Sequence, residues 1–126
     1  MKRTEYVSDK AAPAVGPYVH AVRHGDVIYC SGAIPLTADG VLVEGDITVQ
    51  TRQVMQNLSH VLEAAGSSLQ NALKCTCFLA DFDDFGAFNE EYGRWFTSVK
   101  PARSTVEVSR LPRDVLVEVE VIAAAS

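Results

Sequence analysis

Two stretches near the C-terminus decide the fold: Ala102-Arg103-Ser104-Thr105-Val106-Glu107-Val108 and Val115-Leu116-Val117-Glu118-Val119-Glu120-Val121-Ile122. Each alternates with a period of two, the pattern of a β-strand with one buried and one open face. The odd-numbered valines of the second stretch predict a face that packs on helices. Residues 109–114 predict a hairpin loop, and matching the apolar faces across it puts Arg103 near Glu120 and Thr105 near Glu118. A guanidinium and one or two carboxylates are therefore expected together on the polar side of a sheet.

The chain before these strands begins with a hairpin and a helix. Tyr18 to Arg23 alternates, the turn signal His24-Gly25-Asp26 follows, and Val27 to Ser31 is rich in β-branched and aromatic residues, so two paired strands are predicted. Apolar side chains at spacings of three and four then predict a helix from Asp46 or Thr48 to about Ala65. Gly66 follows as the expected left-handed stop.

A strand is predicted over residues 73–79, followed by a second helix that Asp81 or Asp83 can cap. The aromatic stripe of this helix is interpreted as core packing, and it comprises Phe85, Phe88, Tyr92, Trp95 and Phe96. The element order β-β-α-β-α-β-β predicts an α+β fold with both helices on one side of the sheet.

The composition fits one globular domain over residues 1–126, because 48% of the residues are apolar and 21% are charged. The net charge of −5 argues against a nucleic-acid partner. No stretch is long and apolar enough for a membrane span, and the first residues turn polar where a signal peptide needs an apolar run. We therefore expect no membrane partner and a cytoplasmic location.

The cysteines and histidines predict neither a disulfide framework nor a metal site. Cys30, Cys75 and Cys77 are odd in number and contain no C-x-x-C pattern, so reduced packing residues are expected. His20 and His24 are expected on the surface. Nucleotide-binding glycine loops are absent, and no cofactor is expected.

The polar side of the predicted sheet has a possible chemistry. An arginine offers a planar fork of donors that matches a carboxylate, and a nearby glutamate can polarise a water molecule. The alternative is a cross-strand surface ion pair. A sheet with helices on one face leaves the other face bare, which predicts an oligomer with clefts between its subunits.

Five motifs in order resemble those of the Rid family, the reactive intermediate deaminases, also called YjgF-type proteins. The motifs are Ala12-Pro13-Ala14-Val15-Gly16-Pro17-Tyr18, Cys30-Ser31-Gly32-Ala33-Ile34-Pro35, Gln50-Thr51-Arg52-Gln53 with Asn57, Asp84-Phe85 to Asn89 with Tyr92, and Pro101 to Val108 with Leu111-Pro112 and Val117-Glu118-Val119. The similarity extends over most of the chain.

The resemblance implies a chorismate-mutase-like α+β fold assembled as a homotrimer with inter-subunit clefts. It implies hydrolysis of reactive enamine and imine acids, such as 2-aminoacrylate and 2-iminobutanoate, to 2-oxo acids and ammonia. Pyridoxal-phosphate-dependent dehydratases release these substrates. No cofactor or metal is implied.

The resemblance also implies roles for individual residues. Arg103 would hold the substrate carboxylate and Glu118 the attacking water, with Glu120 as a rival to Glu118. The pocket residues implied are Tyr18, Ser31, Gly32, Asn89 and Thr105, with Gly32 and Thr105 acting through their backbone. Thr105 stands where the deaminase branch usually has cysteine, which leaves the preferred imine open.

Two other functions stay open at this point. A non-catalytic trimer that senses small 2-oxo acids would need Arg103 but not Glu118. An RNA-cleaving translation inhibitor is also associated with some family members, and the acidic net charge and the lack of an obvious histidine pair argue against it.

Overall fold

The computed structural model describes residues 1–126, and its strands form one six-stranded sheet. The strands are β1 (Arg3–Tyr6), β2 (Ala21–His24), β3 (Val27–Cys30), β4 (Ala72–Leu79), β5 (Ala102–Glu107) and β6 (Val117–Ala124). The α-helices are α1 (Ile47–Ala64) and α2 (Phe85–Gly93), and short 3₁₀ turns lie at 69–71, 82–84 and 112–114. The predicted α+β class is confirmed.

The sheet order is β1-β2-β3-β6-β4-β5, and β4 and β5 are its one parallel pair. The predicted first hairpin is confirmed, because β2 and β3 pair antiparallel from Ala21 with Cys30 to His24 with Val27. β4, α2 and β5 form a β-α-β unit, and a crossover of this kind places its two strands parallel. β6 then enters the sheet between β3 and β4.

The predicted hairpin between the last two strands is wrong. β4 lies between β5 and β6, so the crossover through α2 holds β5 at the sheet edge while the valine-rich β6 takes a central position. The register aligns Arg103 with Cys75, and Cys75 in turn with Val121. Glu120 instead lies opposite Thr76.

The two faces of the sheet differ in what covers them. Val117, Val119 and Val121 define the helix side, which packs on α1 and is at most 1% exposed at these positions. Glu118 and Glu120 alternate with them and define the open side. Both helices lie on the helix side, as the sequence predicts.

The prediction that Arg103 and Glu118 share the polar face is wrong. Arg103 and Thr105 are aligned with the buried Cys75 and Cys77, so they lie on the helix side. The apolar residue of β5 that faces away is Val106, which is 43% exposed on the open side. Alternation alone had assigned the apolar face of β5 to the helices, and the register reverses it.

Helix α1 begins and ends where the sequence predicts. The Asp46 side chain accepts a hydrogen bond from the Val49 N–H at 3.0 Å, and Gly66 adopts a φ of 77° just beyond the helix. Its apolar stripe, including Val54, Leu58 and Leu62, is buried in the single large core. All three cysteines are free and buried.

Neither helix combines the length and the hydropathy that a membrane span requires.

Candidate active site

Arg103 projects from the edge strand β5 and lies against α2. Its Nη1 donates a hydrogen bond to Asn89 Oδ1 at 2.7 Å. Its Cζ lies 4.9 Å from the ring centre of Tyr92, 5.6 Å from that of Phe85 and 6.0 Å from that of Phe88. The structure therefore brings the predicted residues Arg103 and Asn89 into direct contact.

Arg103 forms no salt bridge within the chain. Other arginines do, since Arg52 contacts Glu91 at 3.1 Å and Arg110 contacts Asp114 at 3.4 Å. A cleft of about 450 Å³ opens beside Arg103. A half-buried guanidinium with free donors next to a cleft is suited to bind a carboxylate through two parallel hydrogen bonds.

Glu118 lies on the open side of β6, with its carboxylate against the Cα of Gly32. A Cβ placed on Gly32 would stand 3.0 Å from Glu118 Cδ and closer still to Oε2. The segment is fixed there because Ala33 and Val119 exchange two backbone hydrogen bonds of 2.8 and 3.2 Å. Glycine at position 32 therefore permits a close approach of the carboxylate to the backbone.

The environment of Glu118 changes its acidity. Burial raises the pKa of this carboxyl above the ordinary value of 4.5, and the charge of Glu120 raises it further. A carboxyl with a raised pKa is a better proton acceptor and donor for catalysis than an ordinary surface glutamate. Glu120 is exposed and does not meet Gly32, so the geometry favours Glu118 of the two.

Tyr18, Ser31 and Gly32 line one cavity of about 370 Å³. The Ser31 hydroxyl donates a 2.6 Å hydrogen bond to the Val19 carbonyl, and the Ser31 N–H donates to the His20 carbonyl. The Tyr18 side chain is about half exposed at 49%. Tyr18 is therefore free to contact a ligand, whereas the Ser31 hydroxyl already has an acceptor.

The expectation that His20 lies on the surface is wrong, because it is 7% exposed. Its Nδ1 accepts a hydrogen bond from the Ser8 N–H at 3.0 Å, and its Nε2 lies 2.7 Å from the Ala12 carbonyl oxygen. This pair of contacts requires the proton on Nε2. The ring thus fastens the N-terminal segment that forms one wall of the cavity.

Two buried amides of α1 hold the loops around the site. Asn57 donates hydrogen bonds to the carbonyls of Ile34 and Leu36 at 3.2 and 2.9 Å. Gln50 donates to Val43 and accepts from the Leu116 N–H at 2.8 Å. Sequence reasoning assigned these amides no role, although a polar residue within an apolar helix face is a signal of such an anchor.

The predicted site residues form two groups within one chain. Tyr18, Ser31, Gly32 and Glu118 form the first group. Asn89, Arg103 and Thr105 form the second. The carboxylate of the first group and the guanidinium of the second project from opposite faces, with β4 between their strands.

The thiols near Arg103 are poor nucleophiles. Burial raises the pKa of Cys77 to about 12 and also raises the pKa of Cys75, so Cys77 stays protonated at neutral pH. The Thr105 hydroxyl is buried beside Cys77 and has no hydrogen-bond partner of ordinary geometry. No group of three histidine, cysteine, aspartate or glutamate side chains is arranged to hold a metal ion.

Comparison with known proteins identifies the family. Residues 9–125 match the family model described as Endoribonuclease L-PSP. A RutC family protein from Pyrococcus horikoshii is 47% identical over 117 residues, which cover 92% of this chain and 93% of the relative. The chain belongs to the YjgF, or Rid, family.

Solved structures of Rid proteins share its fold. A member of the Rid family from Yersinia pestis superimposes with a TM-score of 0.95 at 42% identity, over 98% of this chain and 99% of that one. TdcF of E. coli, solved with bound serine, gives a TM-score of 0.93 at 36% identity, over 98% and 99% of the two chains. The resemblance drawn from the five motifs is confirmed, as is the fold it implied.

Proposed function

We propose that this Rid protein hydrolyses small enamine and imine acids, such as 2-aminoacrylate and 2-iminobutanoate, to 2-oxo acids and ammonia. The observation that carries the proposal is the half-buried guanidinium of Arg103, which opens on a cleft and lacks a carboxylate partner of its own chain. A substrate carboxylate supplies that partner. In the alternative of a non-catalytic 2-oxo-acid sensor, Arg103 has the same role and Glu118 has none.

The reaction needs one oriented water and one proton carrier. Arg103 holds the carboxylate of an iminium acid, which an enamine forms by taking a proton at C3. The water oxygen bonds to C2 as the C=N π electrons move to nitrogen, and Glu118 accepts a water proton. That proton then passes to the nitrogen, which leaves as ammonia with the C–N bond electrons. The C2 carbonyl forms as the remaining hydroxyl gives its proton to the Glu118 carboxylate, which releases it to solvent.

The complete site is proposed to lie between copies of the chain. Arg103 of one copy and Glu118 of another would face the same substrate, because the two project from opposite faces of one sheet. The assembly we propose is a homotrimer with three such clefts. Apolar side chains on the open side, including the half-exposed Tyr29 and Val106, offer surface for it.

One solved relative and the description of the family model bear on the choice of substrate. The serine bound to TdcF carries an α-carboxylate and an α-nitrogen, as the proposed imine acids do. The family description names an endoribonuclease. RNA cleavage fits this chain less well, because its net charge is −5 and His20 is buried with both ring nitrogens engaged.

We place this activity in the cytoplasm. Three free cysteines are typical of proteins from a reducing compartment.

The first test couples the protein to a threonine dehydratase, which generates 2-iminobutanoate. We expect the purified protein to accelerate ammonia release and Arg103→Ala to abolish the acceleration. Arg110→Ala is the matched control, because Arg110 pairs with Asp114 on the surface. If the wild-type protein does not accelerate ammonia release, the proposed deaminase activity is rejected. If Glu118→Gln still binds the ligand and cells that carry this variant behave like wild type, the sensor is favoured.

A second test asks where the site lies. Arg103→Ala and Glu118→Gln chains are each expected to keep only a small, measurable fraction of wild-type activity. The two variants are unfolded and refolded together in equal amounts. If one site takes Arg103 from one copy and Glu118 from the next, random assembly restores about one quarter of wild-type activity. No recovery in verified mixed oligomers rejects the inter-subunit site.

A further inference from the structure

Helix α2 presents three aromatic rings to one guanidinium. Phe85, Phe88 and Tyr92 follow at intervals of three and four residues, which puts them on one face of the helix. All three ring centres lie within 6.0 Å of Arg103 Cζ. We call these three residues the aromatic cradle. Core packing accounts for the burial of Phe88 and Tyr92 but not for the cation placed among the rings.

The aromatic cradle restrains a side chain that would otherwise be mobile and that has no carboxylate partner in the chain. Arginine on an edge strand has a long, flexible side chain, and nothing in the chain neutralises this one. Aromatic ring faces attract a guanidinium and restrict its orientation, and the attraction strengthens where water is excluded. The hydrogen bond to Asn89 fixes one nitrogen, which leaves the other donors available.

We propose that the aromatic cradle positions Arg103, fixing the plane of its guanidinium for one incoming carboxylate. The residues of the cradle are positioning residues, since they act through Arg103 and not on the reacting atoms. The inference rests on the proposed function only in requiring that Arg103 binds the carboxylate.

Substitutions of Tyr92 can separate a role of its ring from a role of its hydroxyl. Its ring centre is the nearest of the three to Arg103, yet its buried hydroxyl has no hydrogen-bond partner of ordinary geometry. The ring is therefore the part of Tyr92 that contacts Arg103. Tyr92→Phe keeps that face and serves as the matched control for Tyr92→Leu, which removes it.

The test is calorimetric titration with sodium 2-oxobutanoate. We expect Tyr92→Phe to bind with a Kd within about twofold of wild type, and Tyr92→Leu to bind about tenfold more weakly at unchanged stoichiometry. A merely structural role would instead lower the stoichiometry and leave Kd unchanged. Phe85→Leu, at a partly buried position, should weaken binding about threefold and covers the case in which Tyr92→Leu does not fold.

Three further outcomes overturn the inference. If Tyr92→Leu binds with wild-type affinity at full stoichiometry, the rings do not position Arg103. Where Tyr92→Leu does not fold, the same result in Phe85→Leu leads to the same conclusion. Equal losses in Tyr92→Phe and Tyr92→Leu assign the effect to the hydroxyl. Absence of binding by the wild-type protein rejects the carboxylate role of Arg103 itself, and so removes the proposed function together with the cradle.

Discussion

Replacing Gly32 with alanine should disable the site while leaving the fold intact. The added Cβ would lie 3.0 Å from Glu118 Cδ and closer to Oε2, so the carboxylate must move by about 1 Å to restore ordinary contact. A displacement of this size at a reacting group lowers rates by about 100-fold. We therefore expect kcat/KM for 2-iminobutanoate hydrolysis to fall about 100-fold in Gly32→Ala.

Stability should change little in the same variant. Gly32 is not among the residues with positive φ, so alanine is compatible with its backbone. The atoms displaced are the flexible end of a half-buried side chain, and alanine restricts the unfolded chain, a gain of about 0.4–1 kcal/mol. Gly86→Ala in α2, where an added Cβ meets nothing within 4 Å, is the matched control and should keep full activity.

The assay is ammonia release coupled to threonine dehydratase, with thermal unfolding measured on the same samples. A double-mutant cycle locates the effect at Glu118. If Gly32→Ala acts by displacing that carboxylate, it should add little to the loss already caused by Glu118→Gln. Full activity in Gly32→Ala, or a loss in the double variant equal to the product of the two single losses, would refute the reasoning.

The remaining predictions concern pH, the buried carboxylate of Glu91 and position 105. Glu118 must be ionised to accept a proton, and its pKa is raised above 4.5. In a pH–rate profile, kcat/KM should therefore fall on the acid side with a midpoint above pH 4.5. A midpoint at or below pH 4.5 contradicts this prediction. The raised pKa also means that the folded state binds the proton more tightly than the unfolded state, so this contribution to stability is present below pH 4.5 and is lost as pH rises through the folded pKa. Glu118→Gln should therefore raise Tm at neutral pH more than below pH 4.5, and equal shifts by scanning fluorimetry argue against it. Glu91 is 4% exposed and bonds Arg52 and Trp95, so Glu91→Ala should lower the free energy of unfolding in urea by about 2 kcal/mol, more than Glu91→Gln does. Thr105→Val removes a buried hydroxyl that has no hydrogen-bond partner of ordinary geometry, and it should be neutral or stabilising by up to about 1 kcal/mol. A loss of stability of that size shows instead that the contact of the hydroxyl with Cys77 is a stabilising hydrogen bond.

Local patterns were sufficient for most elements. The turn His24-Gly25-Asp26, the cap Asp46 and the stop Gly66 each act within a few residues, and the structure confirms the hairpin and the helix they predict. Strand β1 was missed because it contains only four residues, most of them polar or charged. Its place depends on the neighbouring β2 and not on its own pattern.

Strand partners could not be predicted in the same way. Alternation assigns residues to two faces but does not say which face of an edge strand meets the helices. Val106 appeared to be the core side of β5, whereas the parallel alignment with β4 places Arg103 and Thr105 there. The helix crossover decides this register, and its effect is non-local.

For the site residues too, local motifs could be recognised in the sequence, whereas contacts between distant segments could not. Motif resemblance identified Tyr18, Ser31, Gly32, Asn89 and Arg103, and the structure groups them into the two clusters described above. The interpretation of Phe85 and Tyr92 as core residues was incomplete, because composition does not reveal that a cation lies among their rings.

The insertion of β6 beside β4 links the two proposals for Arg103. In the predicted hairpin, Arg103 would have faced Glu120 and been neutralised within its own chain. With β4 between β5 and β6, Arg103 turns to the opposite face from both Glu118 and Glu120, where α2 meets it with rings and one amide but no carboxylate. A guanidinium held in this way keeps its charge available. Its carboxylate partner must then come from a ligand or from another copy of the chain. In the proposed inter-subunit cleft, Arg103 binds the carboxylate of the ligand, and the neighbouring copy contributes Glu118 as the catalytic carboxylate.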